Sequence, residues 1–202
     1  MRTLLACLAL ACALHASPIT AIAGVPSAST SIVDPCLVFC PVGDIPFTVE
    51  VHDIANNRVA NSLVKLDFSG CPYFHHCPLV PGVNDAARTV SAISDANGVA
   101  RFAVPMGGTC LGSVVVISAD NQPLATRSLV SPDRDGDLFP SPLDEAAIQG
   151  AQGSSDPSCD LDCSGLVDAA DLAIFERHKF HACPLVVPTV PGSWGRLKTI
   201  YR

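Results

Sequence analysis

The sequence has few charged and few aromatic residues. Charged residues make up 15% of the 202 positions and aromatic residues 5%, which excludes a coiled coil and argues against a disordered chain. Lys and Arg number only 12 against 19 Asp and Glu, and the absence of a basic patch argues against nucleic acid as a partner. Beyond the N-terminus, no apolar run approaches the roughly 20 residues that cross a bilayer.

A catalytic constellation is also missing from the sequence. No Ser or Cys stands near the later histidines in a nucleophile motif; these histidines are His52, His75, His76, His178 and His181. A glycosidase needs two carboxylates beside a substrate cleft, and the carboxylate pairs of this chain belong to the loops described below. We therefore expect a protein that is not an enzyme.

The first 23 residues have the pattern of a secretory signal peptide. Arg2 precedes an apolar run over residues 4–14, and Ala21-Ile22-Ala23 offers a small-x-small cleavage site. A membrane anchor is the alternative, but the apolar run ends too early for one. We expect residues 1–23 to be removed and the mature chain to be secreted, outside the cell or at its surface.

Eight cysteines follow this segment, an even number that favours disulfides in an exported chain. They are Cys36, Cys40, Cys71, Cys77, Cys110, Cys159, Cys163 and Cys183. The sequence leaves the pairing open. Cys36 with Cys40 and Cys71 with Cys77 are close enough to close local loops, and a bridge from Cys159 or Cys163 to Cys183 is a further hypothesis.

Zinc is the alternative to a disulfide for residues 71–77. This stretch reads CPYFHHC, so His75 and His76 stand between two cysteines, and thiolate and imidazole are zinc ligands. No second ligand pair stands at finger-like spacing, and an oxidising compartment disfavours free thiolates. Disulfides are therefore the preferred interpretation.

Residues 44–130 alternate apolar and polar side chains in short runs separated by turns. The alternation predicts strands over about residues 45–51, 64–68, 90–94, 99–104, 114–118 and 124–130. The run 114–118 opens with four consecutive β-branched apolar residues and predicts a strand buried on both faces. Residues 24–43 read as a leader segment. Several short strands with turn signals between them describe a β-sandwich.

Two stretches of this region resemble the core of bacterial immunoglobulin-like domains. They are NNRVANSLVKLDF and SDANGVARF, and in those domains of exported and adhesive proteins an Asn-Gly turn separates two sandwich strands. The resemblance covers about residues 40–130. It implies an immunoglobulin-like β-sandwich that serves as a scaffold, spacer or ligand module.

Residues 131–183 concentrate aspartates, and their spacing in CDLDCSGLVDAAD fits a twelve-residue calcium loop. Such a loop supplies oxygens from alternate side chains, one backbone carbonyl and a closing carboxylate. Gly165 at position six permits the sharp turn, Val167 points inward, and a helical pattern follows. The predicted ligands are Asp160, Asp162, Ser164, Leu166 through its carbonyl, Asp168 through water, and Asp171.

The same count from Asp133 gives another, poorer loop. Its predicted ligands are Asp133, Asp135, Asp137, Phe139 through its carbonyl, Ser141 and Asp144. Leu138 stands where Gly is expected, and positive φ costs such a residue about 1–2 kcal/mol. Pro140 replaces the inward apolar residue, and Gly150 is expected to cut the following helix short. We expect this first loop to bind Ca²⁺ more weakly than the second.

Two loops, each closed by Asp and followed by a helix but preceded by none, resemble a dockerin module. The resemblance covers about residues 131–183 and implies a small α-helical module that folds on calcium and docks into cohesin domains of extracellular polysaccharide-degrading assemblies. In well-known dockerins, hydroxyl residues just before the closing Asp contribute to the cohesin contact. Here those positions hold Pro142, Leu143, Ala169 and Ala170, so the resemblance supports calcium binding more than it supports cohesin binding.

The sequence thus predicts a secreted, noncatalytic, calcium-binding docking or adhesion protein. Its expected partner is a cohesin-like or other extracellular protein, or a polysaccharide. The alternative is a carbohydrate-binding or hydrolytic accessory protein of polysaccharide breakdown. Residues 184–202 read as a Pro- and Val-rich linker and a basic tail, which docks on the acidic module, serves as a sorting tag or is a disordered end.

Overall fold

The computed structural model describes residues 24–78 and 80–183, except for the side chain of Ser113. The predicted signal peptide and the predicted linker and tail lie outside these residues. The strands are β1 Ile32–Val33, β2 Leu37–Val38, β3 Phe47–Glu50, β4 Leu63–Asp67, β5 His75–His76, β6 Val83–Asn84, β7 Thr89–Ile93, β8 Val99–Phe102, β9 Met106–Gly107, β10 Cys110–Ala119 and β11 Gln122–Val130. The helices are α1 Pro142–Ala151 and α2 Ala169–His178.

Within the described residues the strands form three sheets. The largest has the order β2-β11-β10-β4-β7-β6, the second has the order β1-β3-β8, and β5 pairs with β9. The pairs are antiparallel except that β2 runs parallel to β11. The chain is therefore mainly β, as the sequence predicts, and the arrangement is consistent with a β-sandwich.

One hydrophobic cluster joins the two larger sheets. Phe47 and Phe102 come from the three-stranded sheet, and Leu66, Ile117 and Leu129 come from the six-stranded sheet. All five side chains are almost completely buried. They lie at every second place of their strands, because successive side chains of a strand point to opposite faces. Each side chain of this size contributes roughly 1.5–3 kcal/mol when it is buried.

The observed strands overlap all six predicted ones, but one predicted property is wrong. Val115 and Ile117 of β10 are fully buried, whereas Val116 between them is 38% exposed. An antiparallel sheet packs one face on the core and leaves the other in contact with solvent. The continuous apolar run therefore does not indicate a strand buried on both faces here.

Two short strands lie in the segment predicted as a leader. Ile32–Val33 pairs with β3, and Leu37–Val38 pairs with β11. Arg127 donates two hydrogen bonds to this segment, to the carbonyls of Val33 and Asp34 at 3.0 and 2.8 Å. Residues 24–43 thus contribute an edge strand to each of the two larger sheets.

Both helices are ten residues long and begin with a capping box. α1 ends at Ala151, one residue after Gly150, and it has the same length as α2. The capping box and the complete burial of Ile148 stabilise the helix against the roughly 0.5–1 kcal/mol that Gly costs relative to Ala. Neither helix of the described residues has the length and apolar character needed to cross a membrane.

A second hydrophobic cluster fixes the helices to one end of the sandwich. Val38 and Val130 belong to the strands, and they pack with Ile148, Val167 and Phe175 of the helical segment. Ile148 and Phe175 are both fully buried. Residues 131–183 therefore pack on the sandwich through a shared apolar core.

The disulfides join distant parts of the chain and overturn the predicted local pairings. Cys36 is bonded to Cys163, Cys71 to Cys110, and Cys77 to Cys183. Cys183 thus pairs upstream with Cys77, so the hypothesis of a bridge from Cys159 or Cys163 to Cys183 is wrong. Local spacing did not decide the pairing, because the fold brings distant cysteines within bonding distance.

The disulfides also disfavour zinc at residues 71–77, since both cysteines of that stretch are bonded elsewhere. The ring of His75 makes a 2.9 Å contact with the carbonyl of Gly136, and His76 lies against the carboxylate of Asp85. Two cysteines of the described residues remain free and buried, Cys40 and Cys159.

Candidate metal centres

The first loop brings three carboxylates together. One oxygen from each of Asp133, Asp135 and Asp144 lies within 4.8 Å of the other two. Asp133 and Asp144 are buried, and Asp135 is exposed. These residues occupy positions one, three and twelve of the predicted loop, so the chain folds back to place its first and last acids side by side.

The second loop repeats this arrangement. Carboxylate oxygens of Asp160, Asp162 and Asp171 lie within 4.8 Å of one another. Asp171 is fully buried and Asp160 almost so, while Asp162 is exposed. The two clusters therefore share positions, burial pattern and all-oxygen donors, the donor type that hard cations prefer.

Backbone N–H groups orient the acid at position one in both loops. The N–H of Leu138 donates to Oδ2 of Asp133 at 2.9 Å, and the N–H of Gly165 donates to Oδ2 of Asp160 at 2.8 Å. Leu138 and Gly165 are both at position six. Each loop therefore turns back on its first acid and fixes the orientation of that carboxylate.

The closing acid at position twelve is oriented in the same way by both loops. Its Oδ2 accepts the N–H of position nine, at 2.9 Å in Asp144 and at 2.8 Å in Asp171. Its Oδ1 accepts the N–H of position two, from Arg134 at 2.9 Å and from Leu161 at 2.5 Å. The closing acid is also the third residue of its helix, so the capping box and the loop closure are one structure.

The two loops follow the same backbone path with an offset of 27 residues. Position four has positive φ in both, 76° in Gly136 and 55° in Cys163. Position six has positive φ in both, 70° in Leu138 and 89° in Gly165. Leu138 thus adopts the left-handed conformation that its place in the loop requires, and it bears the steric cost that the sequence predicts.

The repeat extends past the helices and links the two loops to each other. The N–H of Gly153, after α1, donates to the carbonyl of Val167 in the second loop at 2.8 Å. The N–H of Phe180, after α2, donates to the carbonyl of Pro140 in the first loop at 2.9 Å. The N–H of Val167 also donates to the carbonyl of Ser154 at 2.8 Å. Pro140 cannot make the matching bond, because proline has no N–H.

The clustered carboxylates have no neutralising cation among the described residues. The guanidinium of Arg134 donates a 2.8 Å hydrogen bond to the hydroxyl of Ser158 and not to a clustered acid. Lys179 forms ion pairs with Glu145 and Glu176, which lie outside the clusters. Like charges held this close repel each other. A bound cation removes this repulsion.

Burial perturbs the first acid of each loop. It raises the pKa of the Asp133 carboxyl to about 7, with a further rise from Asp144, Asp137 and Asp135 and an opposing effect of the Leu138 N–H. Burial also raises the pKa of the Asp160 carboxyl. A cation that binds Asp133 near neutral pH therefore competes with a proton.

The other predicted ligands stand beside the clusters and not in them. Asp137 accepts the N–H of Phe139 at 2.8 Å, and Ser141 donates its hydroxyl to Asp144 at 3.0 Å. In the second loop, Ser164 donates its hydroxyl to the carbonyl of Leu166 at 3.0 Å, and Asp168 caps α2. Each of these residues has a local backbone role, and the carboxylate clusters use positions one, three and twelve.

Sequence reasoning missed a glycine of the sandwich that faces the first loop. Gly107 of β9 lies against Asp133, and a Cβ at Gly107 would overlap the carboxylate of that residue. The neighbouring Gly108 donates its N–H to the Asp133 carbonyl at 2.7 Å. No local signal links these glycines to the acid, because the contact depends on how the loop packs on the strands.

We expect Gly107→Ala to weaken binding of a cation by the first loop and to lower the free energy of unfolding by about 1–3 kcal/mol, as overpacking does. Asp133 is fully buried and anchored by hydrogen bonds, so it cannot move aside freely. Isothermal calorimetry and denaturant unfolding measure the two effects.

Gly150→Ala is the matched control for this substitution. A Cβ at Gly150 has no heavy atom within 4 Å, and Ala in a helix is roughly 0.5–1 kcal/mol more favourable than Gly. This variant should be slightly more stable, and it should bind a cation as tightly as the parent does. Equal cation affinities of the Gly107 variant and the parent would contradict the assigned contact.

Comparisons with protein-family models, with known proteins and with solved structures find no match to this chain. The fold and the sites define it as a mainly β, disulfide-bonded protein with two acidic clusters that could hold metal ions.

Proposed function

We propose that this chain is a secreted, noncatalytic, calcium-binding docking or adhesion protein. Its parts are an immunoglobulin-like β-sandwich and a dockerin-like module at residues 131–183. The observation that carries the proposal is the 27-residue repeat, in which both loops place acids at positions one, three and twelve within 4.8 Å of one another. A solvated acidic surface requires neither this fixed spacing nor the matching left-handed residues.

Calcium is the cation that fits this loop chemistry. A twelve-residue loop that closes with a carboxylate and turns at position six supplies hard oxygens at flexible distances, which Ca²⁺ prefers. Mg²⁺ demands near-ideal octahedral geometry and keeps several waters. In this proposal, Asp133, Asp135 and Asp144 bind one ion, and the matching acids of the second loop bind the other.

Binding to another protein is supported by apolar side chains exposed around the first loop. Leu143 at position eleven is 76% exposed. Phe139 of the same loop and Phe180 after α2 are also exposed, and their ring centroids lie 5.9 Å apart. Leu166 at position seven of the second loop is also exposed. Apolar and aromatic side chains supply most of the binding energy at protein interfaces. The partner in this proposal is a cohesin-like or other extracellular protein.

A calcium titration of the mature chain tests the proposal. After treatment with EDTA, calorimetry should show two calcium sites with the second loop the tighter, and circular dichroism should show that calcium raises the melting temperature. Mg²⁺ at equal concentration should give a smaller change. Absence of calcium binding, or a melting temperature that calcium leaves unchanged, would contradict the proposal.

The docking part has its own test, performed with calcium at saturation. A panel of cohesin-type domains is assayed for binding to the parent chain, to Leu143→Asp and to Ile54→Asp. Ile54 is 78% exposed in a sandwich turn, so it matches Leu143 in exposure but lies outside the proposed face. We expect the Leu143 variant to lose binding and the Ile54 variant to retain it; equal loss in both would exclude this face.

A groove in the sandwich favours the second candidate, a carbohydrate-binding or hydrolytic accessory protein. The groove has a volume of about 360 Å³ and contains polar and ring side chains, among them His75, His76, Asn84, Asp85 and Arg88. Convergent polar groups in an otherwise apolar groove are typical of ligand sites. Glycan binding and hydrolysis by the parent chain, lost in Arg88→Ala with calcium binding unchanged, would favour this candidate over protein docking.

A further inference from the structure

A cluster of three different metal-ligand types lies where α2 meets the sandwich, away from both acidic loops. It consists of Cys40, Asp44 and His178, and one ligand atom from each lies within 4.8 Å of the other two. The Sγ of Cys40 donates to Oδ1 of Asp44 at 2.8 Å. The Nδ1 of His178 is 3.3 Å from the same oxygen.

His178 points a buried, unpartnered nitrogen into this cluster. Its side chain is only 4% exposed, and its Nδ1 has no hydrogen-bond partner, since the contact with Asp44 lacks hydrogen-bond geometry. A buried polar atom without a partner destabilises the folded chain, and a bound metal ion would supply the missing partner. His181 lies beside it, with ring centroids 5.5 Å apart, and its Nδ1 is also buried without a partner.

Several features of the fold bring these residues together. A tight turn, closed by the 2.9 Å bond from the Gly43 N–H to the Cys40 carbonyl, places Cys40 and Asp44 on the same side. Gly43 has φ of 74°, and a Cβ at this place would lie 2.7 Å from the ring of Pro105, so no other residue fits easily there. His178 is the last residue of α2, and the Cys77–Cys183 disulfide fixes the chain five residues later to the sandwich.

We propose that Cys40 Sγ, Asp44 Oδ1 and His178 Nδ1 bind a zinc ion that links the end of α2 to the β-sandwich. Thiolate, carboxylate and imidazole are the three ligand types of protein zinc sites, and such sites are tetrahedral. The fourth position belongs to water or to His181. The 44% exposure of the Asp44 side chain leaves an entry path for the ion.

The donor set separates this site from the acidic loops. Calcium prefers oxygen ligands, whereas sulfur and nitrogen select zinc and related metals. A Cys–His–Asp nucleophile is a poorer account of the cluster, because the thiol contacts Asp44 and not an imidazole.

Cobalt substitution tests the proposal on the full mature chain with its disulfides intact. The protein is freed of metal with EDTA, saturated with calcium so that the acidic loops are occupied, and titrated with Co²⁺. We expect one equivalent of Co²⁺ to give a thiolate-to-cobalt charge-transfer band and the visible bands of tetrahedral cobalt. Zn²⁺ should displace the cobalt and abolish these bands.

Two cysteine variants decide the assignment. Cys40→Ser should lose the charge-transfer band, and Cys159→Ser, which removes the other free buried cysteine, should keep it. Absence of the band in the parent, its persistence in the Cys40 variant or its loss in the Cys159 variant would each overturn the proposal.

Asp44→Asn tests the site without relying on the Cys40 variant to fold. The Asp44 side chain is partly exposed, so this substitution disturbs the packing of the core less. It should keep the sulfur band and weaken Co²⁺ binding by at least about 10-fold, the smallest effect typical of groups that support a metal site. Unchanged affinity in this variant would overturn the role of the carboxylate. Circular dichroism and calcium titration check that each variant is folded.

Discussion

Asp160→Ala combined with Asp171→Ala should abolish high-affinity calcium binding at the second loop, with the dissociation constant raised by about 100-fold or more. The substitution removes two of the three clustered carboxylates, and ligand charge governs calcium affinity over several orders of magnitude. It also removes acceptors for the N–H groups of Gly165, Leu161 and Asp168. Calorimetry should detect only the weaker site of the first loop.

The Asn version of the same double substitution separates charge from local folding. Asn keeps one side-chain oxygen at each place, so it can accept some of these N–H groups while it removes both negative charges. Calcium affinity should fall to a similar degree, and the metal-free protein should lose less stability than the Ala version does, because one acceptor oxygen remains at each place. Calcium affinity equal to the parent in either double variant would show that the second loop is not the tighter site.

Glu176→Gln is the matched control on the same helix. Glu176 pairs with Lys179 at 3.2 Å and lies outside both clusters. An exposed ion pair of this kind contributes at most about 1 kcal/mol. Its neutralisation should leave both calcium sites intact, which excludes a general effect of net charge on affinity.

Cys36→Ser combined with Cys163→Ser should lower the free energy of unfolding by about 5 kcal/mol in the loop-entropy treatment of disulfides. This bridge spans 127 residues of sequence, so its removal releases a long loop in the unfolded chain. Cys163 also occupies position four of the second loop with φ of 55°. The same variant should therefore bind calcium more weakly at that loop, with the first loop little affected.

The bridge inside the sandwich is the control for this variant. Cys71→Ser combined with Cys110→Ser removes a bridge that spans 39 residues, which corresponds to about 4 kcal/mol in the same treatment. Neither cysteine lies in a loop with clustered acids. Denaturant unfolding should show a comparable loss of stability, while calorimetry below the unfolding transition should show calcium affinities equal to those of the parent. Weaker calcium binding in this control would show that affinity follows global stability and not the Cys163 anchor.

Much of the fold follows from local patterns in the sequence. Period-two alternation predicted β3, β4 and β8, since a strand with one buried face must alternate. The spacing of aspartates also predicted which acids come together, because a twelve-residue loop that turns at position six places positions one and twelve side by side. α1 ends one residue after Gly150, where the cost of Gly in a helix favours an end, although α2 has the same length without a glycine.

The composition of residues 24–43 did not reveal their strands, β1 and β2. A strand of two residues has no periodicity to detect, and its existence depends on the edge of a sheet that other segments build. The exposure of Val116 also depends on other segments of the chain, because a strand face is buried only where another layer packs on it. Residues 114–117 are all apolar, but Val116 is 38% exposed, so no layer of the described structure covers that face of the strand.

By itself, the sequence determined the mainly β class and the two acidic loops, because both depend on the spacing of neighbouring residues. Only the tertiary structure decided the disulfide pairs, the contact of Gly107 with Asp133 and the meeting of Cys40 with His178. These contacts join residues from 26 to 138 positions apart. Packing of one segment on another brings them together, and no local spacing encodes it.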